Sequence, residues 1–276
     1  MQKILFHDVD GCLNTPDGTA LPFERAQLLP SQIDKLCALG ESLDDSDIDI
    51  MVLNTGRSMA ATIFIAEAIN STKLRYVIAK HGALGYSTHD DKYLDFACHA
   101  RFVPQLRNVY ATVNKMGALV NWYEREGTCL LANEIDHVIT ASPKRANLTL
   151  KIPEGYSGAS MMRIVRKLIE THSPVASDKL VYHHSVSEGY VDVMAEVDKG
   201  DAVQIICHLE SQSALNTYAV GNGENDLPMF KQVEVCVGPS NSDDLLLSYL
   251  EENGGTISEH PFIDATLAFL KTFDRR

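Results

Sequence analysis

Short apolar runs that end in polar loops constrain the fold of this chain more than any other feature. The runs cover residues 3–7, 48–53, 75–79, 215–220 and 233–238. Runs this short and this apolar are typical of buried parallel strands. Segments with helical spacing separate them, so the two ends of the chain predict a Rossmann-like α/β fold, a parallel sheet with helices on its faces.

The middle of the chain follows a different pattern. Strand-like pieces at 146–152 and 189–193 flank an amphipathic helix candidate at 160–172, and the stretch contains no buried parallel run. This pattern is typical of an α+β insert. We therefore predict a core made of residues 1–85 and 190–276, interrupted by a second domain at residues 86–189.

One helix prediction in the core rests on capping residues. Residues 31–39 have helical spacing, with Ser31 in the position of an N-cap and Gly40 in the position that closes a helix. The sequence therefore predicts a short helix that ends before Gly40.

Composition excludes some functions. The net charge of −13 and the pI of about 5.1 argue against nucleic-acid binding, which depends on Lys and Arg neutralising phosphates. A small phosphorylated ligand is still allowed, because its site needs only a few local cations. The six cysteines are scattered without a Cys-x-x-Cys pair, which is typical of reduced thiols and not of a disulfide frame or zinc site.

The sequence also predicts no association with membranes. No run of 18 apolar residues is present, and the first residues lack the apolar stretch and cleavage site of a signal peptide. We expect a cytoplasmic protein. The sequence does not indicate an oligomeric state.

The loops after the strands carry the chemistry. Ligands of open α/β sheets bind beyond the carboxyl ends of the strands, so these loops are expected to face one crevice. Asp8 and Asp10 are two residues apart and point the same way on an extended chain, and a divalent cation would remove their repulsion. One carboxylate can attack phosphorus while its neighbour transfers protons. Gly11 permits a tight turn beside a phosphate.

Two other interpretations of Asp-x-Asp-Gly fail. A calcium loop of the EF-hand type requires different residues where Cys12, Leu13 and Thr19 stand. A surface turn does not fit the apolar run that enters the motif.

Two further segments supply phosphate ligands. The Thr55 hydroxyl and the Gly56 amide can donate to a phosphate oxygen, and Arg57 can reach a substrate from the same loop. Lys199 lies where the chain returns to the core and can neutralise phosphoryl charge.

The loop at 221–226 has the glycine spacing of a dinucleotide fingerprint, but Asp226 stands where that motif requires its third glycine. Its Asn222, Glu224, Asn225 and Asp226 are residues typical of metal binding.

Taken together and in this order, the four segments resemble the motifs of the haloacid dehalogenase superfamily of phosphohydrolases. The resemblance implies that Asp8 is the nucleophile, Asp10 the general acid/base, and Thr55 and Lys199 the phosphate-binding catalytic residues. It implies phosphate contacts from Gly11, Gly56, Arg57 and Asn225. It also implies Mg²⁺ as cofactor, held by Asp8, Asp10, Asn222 and Asp226.

The position and length of the insert are similar to the C2 cap of the type IIB branch, an α/β lid. The resemblance therefore implies hydrolysis of a small phosphomonoester, with a sugar phosphate as the first candidate. A phosphosugar mutase of the same fold and a binding or regulatory homologue without turnover are the alternatives. Cap residues that can contact the leaving group are Arg163, Lys167, His183 and His184.

Two positions depart from the motifs. The fourth motif usually has a metal-binding Asp where this chain has Asn222, and an uncharged amide should bind Mg²⁺ more weakly. The first motif commonly has Thr where this chain has Cys12, which removes a hydroxyl group.

Overall fold

The computed structural model describes residues 2–22, 24–94 and 197–273. Between the last two ranges it describes residues 135–136, 147–151, 180–185 and 190–195 and a few single positions. The chain divides into a larger unit, Met1–Phe96 with Asp198–Arg276, and a smaller unit, Ala97–Val197.

An eight-stranded sheet organises the larger unit. Its strands are β1 (Ile4–His7), β2 (Ile50–Asn54), β3 (Leu74–Ala79), β4 (Leu84–Ser87), β5 (Lys92–Leu94), β10 (Thr217–Val220), β11 (Val235–Gly238) and β12 (Thr256–Ile257). Their order is β12-β11-β10-β1-β2-β3-β4-β5. The pairs from β12 to β3 are parallel, and β4 and β5 add antiparallel strands at one edge.

The helices of the larger unit are α1 (Pro30–Asp45), α2 (Met59–Ile69), α3 (Lys199–Leu209), α4 (Leu227–Phe230), α5 (Asp244–Asn253) and α6 (Phe262–Leu270). Single 3₁₀ turns lie at Arg25–Gln27, Lys80–Gly82, Glu224–Asp226 and Lys271–Phe273. Helix α1 packs against α2 and α6, and α3 packs against α4. None of the helices in the described ranges combines the length and apolarity needed to cross a membrane.

The predicted parallel core is confirmed. Every residue of β1, β2 and β10 is buried, as expected for central strands covered on both faces. Ser58 caps α2 by accepting a hydrogen bond from the Ala61 amide. Alternation of apolar runs with helical spacing was therefore enough to identify the central elements.

The prediction for α1 was wrong at both ends. The helix begins at Pro30, with Leu29 and not Ser31 as the N-cap, and it continues past Gly40 to Asp45. A Cβ atom at Gly40 would lie 1.8 Å from the Ile69 carbonyl oxygen of α2. The glycine permits close contact between two helices and does not end one.

The smaller unit contains a second sheet. Its strands are β6 (Ile135–Asp136), β7 (Asn147–Lys151), β8 (Leu180–Ser185) and β9 (Tyr190–Ala195), all antiparallel and in the order β6-β7-β9-β8. The predicted strand at 146–152 is confirmed. The predicted helix at 160–172 lies mostly outside the described residues.

Both predicted domain boundaries lie too early in the chain. The first was placed after residue 85, but β4 and β5 form a hairpin that extends the large sheet. The second was placed after residue 189, but β9 pairs with β7 and β8 of the smaller sheet. The structure divides the chain after Phe96 and after Val197 instead.

Candidate active site

Strand register brings the predicted loops to one edge of the large sheet. His7 at the end of β1 is level with Val220 of β10 and Leu53 of β2. Asp8, the loop at 221–226 and Thr55 follow directly after these strands. The first, second and fourth segments therefore meet at the carboxyl edge, as the sequence predicted.

Lys199, the first residue of α3, joins two of these loops. Its Nζ lies 2.7 Å from Asp8 Oδ1 and 2.6 Å from Asp226 Oδ1. The lysine and Asp226 side chains are fully buried, and that of Asp8 is 4% exposed. Two carboxylates thus share one ammonium group away from water, which leaves an excess negative charge when all three are ionised.

The pKa values reflect this shortage of positive charge. Burial and then the charge of Asp226 raise the pKa of Asp8 from 3.8 to about 7, although Lys199 opposes the shift. Burial alone would lower the pKa of Lys199, but Asp226 and Asp8 outweigh it and raise that pKa above its usual range. Lys199 therefore stays charged at neutral pH, while Asp8 is less acidic than an exposed aspartate.

Asp226 also holds the loop in which it lies. Its Oδ2 accepts hydrogen bonds from the amides of Asn222 and Gly223 at 2.9 and 3.1 Å, while Oδ1 faces Lys199. A Cβ atom at Gly221 would lie 2.6 Å from the Asp226 Cγ, so the loop requires glycine there. These contacts give Asp226 a positioning role in the loop, and its predicted role as a metal ligand stays a prediction.

Asn222 lies against the first loop. A Cβ atom at Gly11, whose φ is +74°, would lie 2.2 Å from the Asn222 Nδ2. The Cys12 thiol, whose pKa is raised chiefly by burial, donates to Asn222 Oδ1 at 3.5 Å. Gly11 therefore allows close approach of the two loops in addition to its tight turn.

The donor groups beside Asp8 suit Mg²⁺. Mg²⁺ prefers oxygen ligands and often uses only one or two carboxylates together with water and substrate phosphate. Asp8 supplies a buried carboxylate with uncompensated charge, and Asn222 supplies an amide oxygen held by one weak hydrogen bond. Within the described ranges no group of three His, Cys, Asp or Glu side chains forms a metal cage. Asp8 and Asn222 therefore fit a Mg²⁺ ion that takes further oxygen ligands from the substrate phosphate.

Thr55 and Gly56 occupy the second loop. Thr55 is fully buried, and its Oγ1 accepts from the Arg57 amide at 3.2 Å, which leaves the hydroxyl hydrogen for another acceptor. A Cβ atom at Gly56 would lie 2.5 Å from the His81 imidazole. The glycine is required for this contact.

Asp10 and Arg57 form a pair that the sequence did not predict. Arg57 donates to Asp10 Oδ1 from Nε at 2.9 Å and from Nη2 at 2.5 Å. The Arg57 side chain is 2% exposed and that of Asp10 is 33% exposed. Arg57 therefore holds the carboxylate of the proposed acid/base, and the predicted roles of Arg57 as a substrate contact and of Asp10 as a metal ligand stay predictions.

The remaining predicted residues are placed as follows. Asn225 is half-buried in the 3₁₀ turn Glu224–Asp226. Of the cap candidates, Arg163 is exposed, His183 and His184 belong to β8, and Lys167 lies outside the described residues.

Sequence reasoning missed residues that shape the same edge. Asn241, after β11, donates from Nδ2 to the Gly11 carbonyl at 2.9 Å. Asp243 accepts from the Glu224 amide at 2.8 Å and also caps α5. His81, after β3, donates its amide to the Thr55 carbonyl at 2.9 Å. Each follows a strand of the parallel sheet, so the same edge rule applied to β3 and β11 would have found them.

Similarity to proteins of known structure extends over the whole chain. A sucrose-phosphatase from Synechocystis, determined with sucrose and phosphate, has a TM-score of 0.65 and 15% identity and covers 99% of each chain. A haloacid dehalogenase-like hydrolase from Bacteroides thetaiotaomicron has a TM-score of 0.63 and 14% identity, again with 99% of each chain covered. A phosphatase of the same organism and superfamily has a TM-score of 0.55 and 19% identity, covering 99% of this chain and 95% of its own.

Because the sequence identities are low, these structural similarities establish the fold alone. A comparison with curated proteins finds no match. The model of one family, described as haloacid dehalogenase-like hydrolase, matches residues 5–260. That match includes the three loops at the carboxyl edge of the sheet and Lys199, and the chain belongs to the haloacid dehalogenase-like hydrolases.

Proposed function

We propose that this enzyme is a Mg²⁺-dependent phosphatase that hydrolyses a small phosphomonoester through an aspartyl-phosphate on Asp8. The observation that carries the proposal is the buried contact of Lys199 with both Asp8 and Asp226 at the carboxyl edge of the sheet. A carboxylate held beside a permanent cation has the chemistry needed to attack phosphorus.

Several residues contribute to the first step, the transfer of the phosphoryl group to Asp8. Oδ1 of Asp8 faces Lys199, so Oδ2 is the oxygen that attacks. Thr55 donates its hydroxyl hydrogen, and Gly56 its amide, to the oxygens of the phosphoryl group. Lys199 keeps a third hydrogen for the same group, since its ammonium has three donors and two face carboxylates. Mg²⁺, held by Asp8 and Asn222, would supply charge neutralisation between the nucleophile and the phosphate.

Asp10 transfers the protons. As an acid it protonates the leaving oxygen while the bond between that oxygen and phosphorus breaks. As a base it then accepts a proton from the water that attacks phosphorus and releases Asp8. The products are an alcohol and inorganic phosphate, and Asp10 regains its proton.

A phosphorylated sugar is the proposed substrate class. The support is the resemblance of the motifs and the insert to the type IIB branch, together with the likeness to a sucrose-phosphatase. A screen of phosphorylated metabolites for phosphate release tests this choice. A phosphosugar should be among the substrates with the highest kcat/KM, and a strong preference for phosphoamino acids or nucleotides would contradict it.

The nucleophile is tested with p-nitrophenyl phosphate and Mg²⁺. Asp8→Asn should lower kcat by at least about 10³-fold, because the amide is not a nucleophile. Asp34→Asn, the same change at an exposed position of α1, should leave kcat unchanged. Equal rates for wild type and Asp8→Asn would refute the assignment. Turnover that needs a sugar bisphosphate and releases little phosphate would indicate a mutase.

A further inference from the structure

Arg57 is a buried arginine that connects three segments of the larger unit. Besides its two contacts with Asp10 Oδ1, its Nε lies 3.0 Å from Asp10 Oδ2. Its Nη1 donates to the Pro22 carbonyl at 2.7 Å, and its Nη2 donates to the Leu21 carbonyl at 2.7 Å. At least four of the five guanidinium N–H groups are thus committed to protein acceptors.

The pairing is asymmetric for Asp10. Among the residues that the structure describes, Oδ1 receives hydrogen bonds from both Nε and Nη2, whereas Oδ2 receives only a contact from Nε, at 3.0 Å. The Asp10 side chain is 33% exposed, whereas that of Arg57 is 2% exposed. Arg57 therefore fixes one oxygen of the carboxylate and leaves the other, Oδ2, able to carry a proton toward a ligand.

We propose that Arg57 is a positioning residue that orients Asp10 for proton transfer, and that it does not bind the phosphoryl group. This inference rests on the proposed phosphatase function. Two N–H groups of one planar guanidinium that converge on Oδ1 set the direction of the carboxylate, which a single ammonium group does not do. The carbonyls of Leu21 and Pro22 hold the fork itself, so the orientation is fixed before a substrate arrives.

The role predicts which chemical steps depend on Arg57. In the first step the Asp8–phosphorus bond forms, the bond to the leaving oxygen breaks, and the Asp10 proton moves to that oxygen. The departure of a good leaving group such as p-nitrophenolate depends little on protonation by Asp10, whereas the departure of phenolate depends on it more. In the second step water attacks phosphorus, its proton passes to Asp10, and the bond to Asp8 breaks. Every substrate needs the second step.

The test compares p-nitrophenyl phosphate with phenyl phosphate in rapid-mixing experiments with Mg²⁺. In Arg57→Met the first-turnover rate should fall at least tenfold more for phenyl phosphate than for p-nitrophenyl phosphate, because general acid–base catalysis contributes about 10²–10⁴-fold. The variant should also release a burst of p-nitrophenol equal to the enzyme and accumulate phosphoenzyme. Asp10→Asn should behave in the same way.

Two further variants separate positioning from other roles. Arg57→Lys keeps the charge but loses the fork, so it should resemble Arg57→Met. If Arg57→Met does not fold, the same comparison of substrates can be made with Arg57→Lys. Arg75→Met removes an arginine that likewise pairs with a carboxylate, Glu210, and it should behave as wild type.

The contrary results are distinct. A raised KM with equal losses for both substrates, no phosphoenzyme and rescue by lysine would overturn the inference and make Arg57 a phosphate ligand. If wild type forms no phosphoenzyme, or Asp8→Asn equals wild type, the proposed function itself fails and the inference fails with it.

Discussion

The carboxylates of Asp8 and Asp226 are buried close to each other, and their repulsion would be unfavourable without the ammonium group of Lys199. Lys199 lies between two buried carboxylates, and the pKa of Asp8 is raised to about 7 by burial and by Asp226. A cation bound at Asp8 competes with a proton for the same group, so metal binding and protonation oppose one another. The pKa values of these groups could not be predicted from the sequence, because they depend on burial.

Asn222 determines how much charge the protein gives to a bound metal. Asn222→Asp adds a carboxylate beside the first loop, and we expect Mg²⁺ to bind about tenfold more tightly, since ligand charge raises the affinity of oxygen-ligand sites. Titration calorimetry of the protein without substrate measures this directly. Asn225→Asp places the same charge three residues further along the same loop and should have a smaller effect.

Equal gains in the two variants would show that the added charge acts at long range. No gain from Asn222→Asp would show that residue 222 is not a ligand.

His7, directly before Asp8, makes the stability of the fold depend on pH. Its Nδ1 donates to the Asp8 carbonyl, and its Nε2 accepts from Thr266 Oγ1 at 2.7 Å. Burial lowers the pKa of His7 from 6.5 to about 4. Between these values the unfolded chain binds the proton and the folded chain does not. The contribution of neutral His7 is therefore complete above pH 6.5 and is lost as the pH falls toward 4.

The loss should reach roughly 3 kcal/mol at pH 4. Urea unfolding from pH 7.5 to pH 4 measures it. His7→Gln cannot titrate, so its free energy of unfolding should fall less over this range than that of wild type. Substitution of the exposed His260 by Gln should leave the wild-type pH dependence intact. Identical pH profiles for wild type and His7→Gln would contradict the assignment.

The elements differ in how far their sequences determine them. The central strands were predictable to within about two residues, because a fully buried strand is apolar throughout. The end of α1 was not, because glycine at position 40 also serves tertiary packing against Ile69. The β4–β5 hairpin was missed because β5 is short and partly exposed, with Lys92 and Tyr93 on the surface. Likewise the pairing of Asp10 with Arg57 depends on side-chain directions that spacing does not specify.

Gly40 gives a test of the contact between α1 and α2. Alanine has the higher helix propensity by about 1 kcal/mol, so an isolated helix would gain from Gly40→Ala. In the protein its Cβ would overlap the Ile69 carbonyl, and we expect a net loss of about 1–3 kcal/mol in the free energy of unfolding. Denaturant unfolding checks this, with the exposed Glu41→Ala as a control expected within about 0.5 kcal/mol of wild type. A stabilised Gly40→Ala protein would show that the helices can separate at no cost.

The molecule as a whole carries 37 acidic and 24 basic side chains. The electrostatic field of this net negative charge repels a dianionic phosphomonoester as it approaches, before the substrate reaches the cations of the site. Screening of this field has consequences for substrate capture, because the Debye length shortens from about 30 Å at 0.01 M salt to about 8 Å at 0.15 M.

We therefore expect kcat/KM for p-nitrophenyl phosphate to rise a few-fold between these two ionic strengths at constant free Mg²⁺. The value of kcat at saturation should change little, because bound substrate no longer has to approach the surface. Steady-state kinetics in increasing NaCl provides both values. A fall in kcat/KM would mean that the cations of the site dominate the approach of substrate.

The order of strands in the large sheet has a consequence for synthesis on the ribosome. β1 lies between β2 and β10, yet β10 begins only at Thr217. At about 5–20 residues per second, on the order of ten seconds separate the emergence of β3 from that of β10. During this interval one side of a future central strand has no hydrogen-bonding partner, and such edges are templates for aggregation. Nascent chains stopped before Thr217 therefore lack both a finished sheet and the aspartate that anchors Lys199.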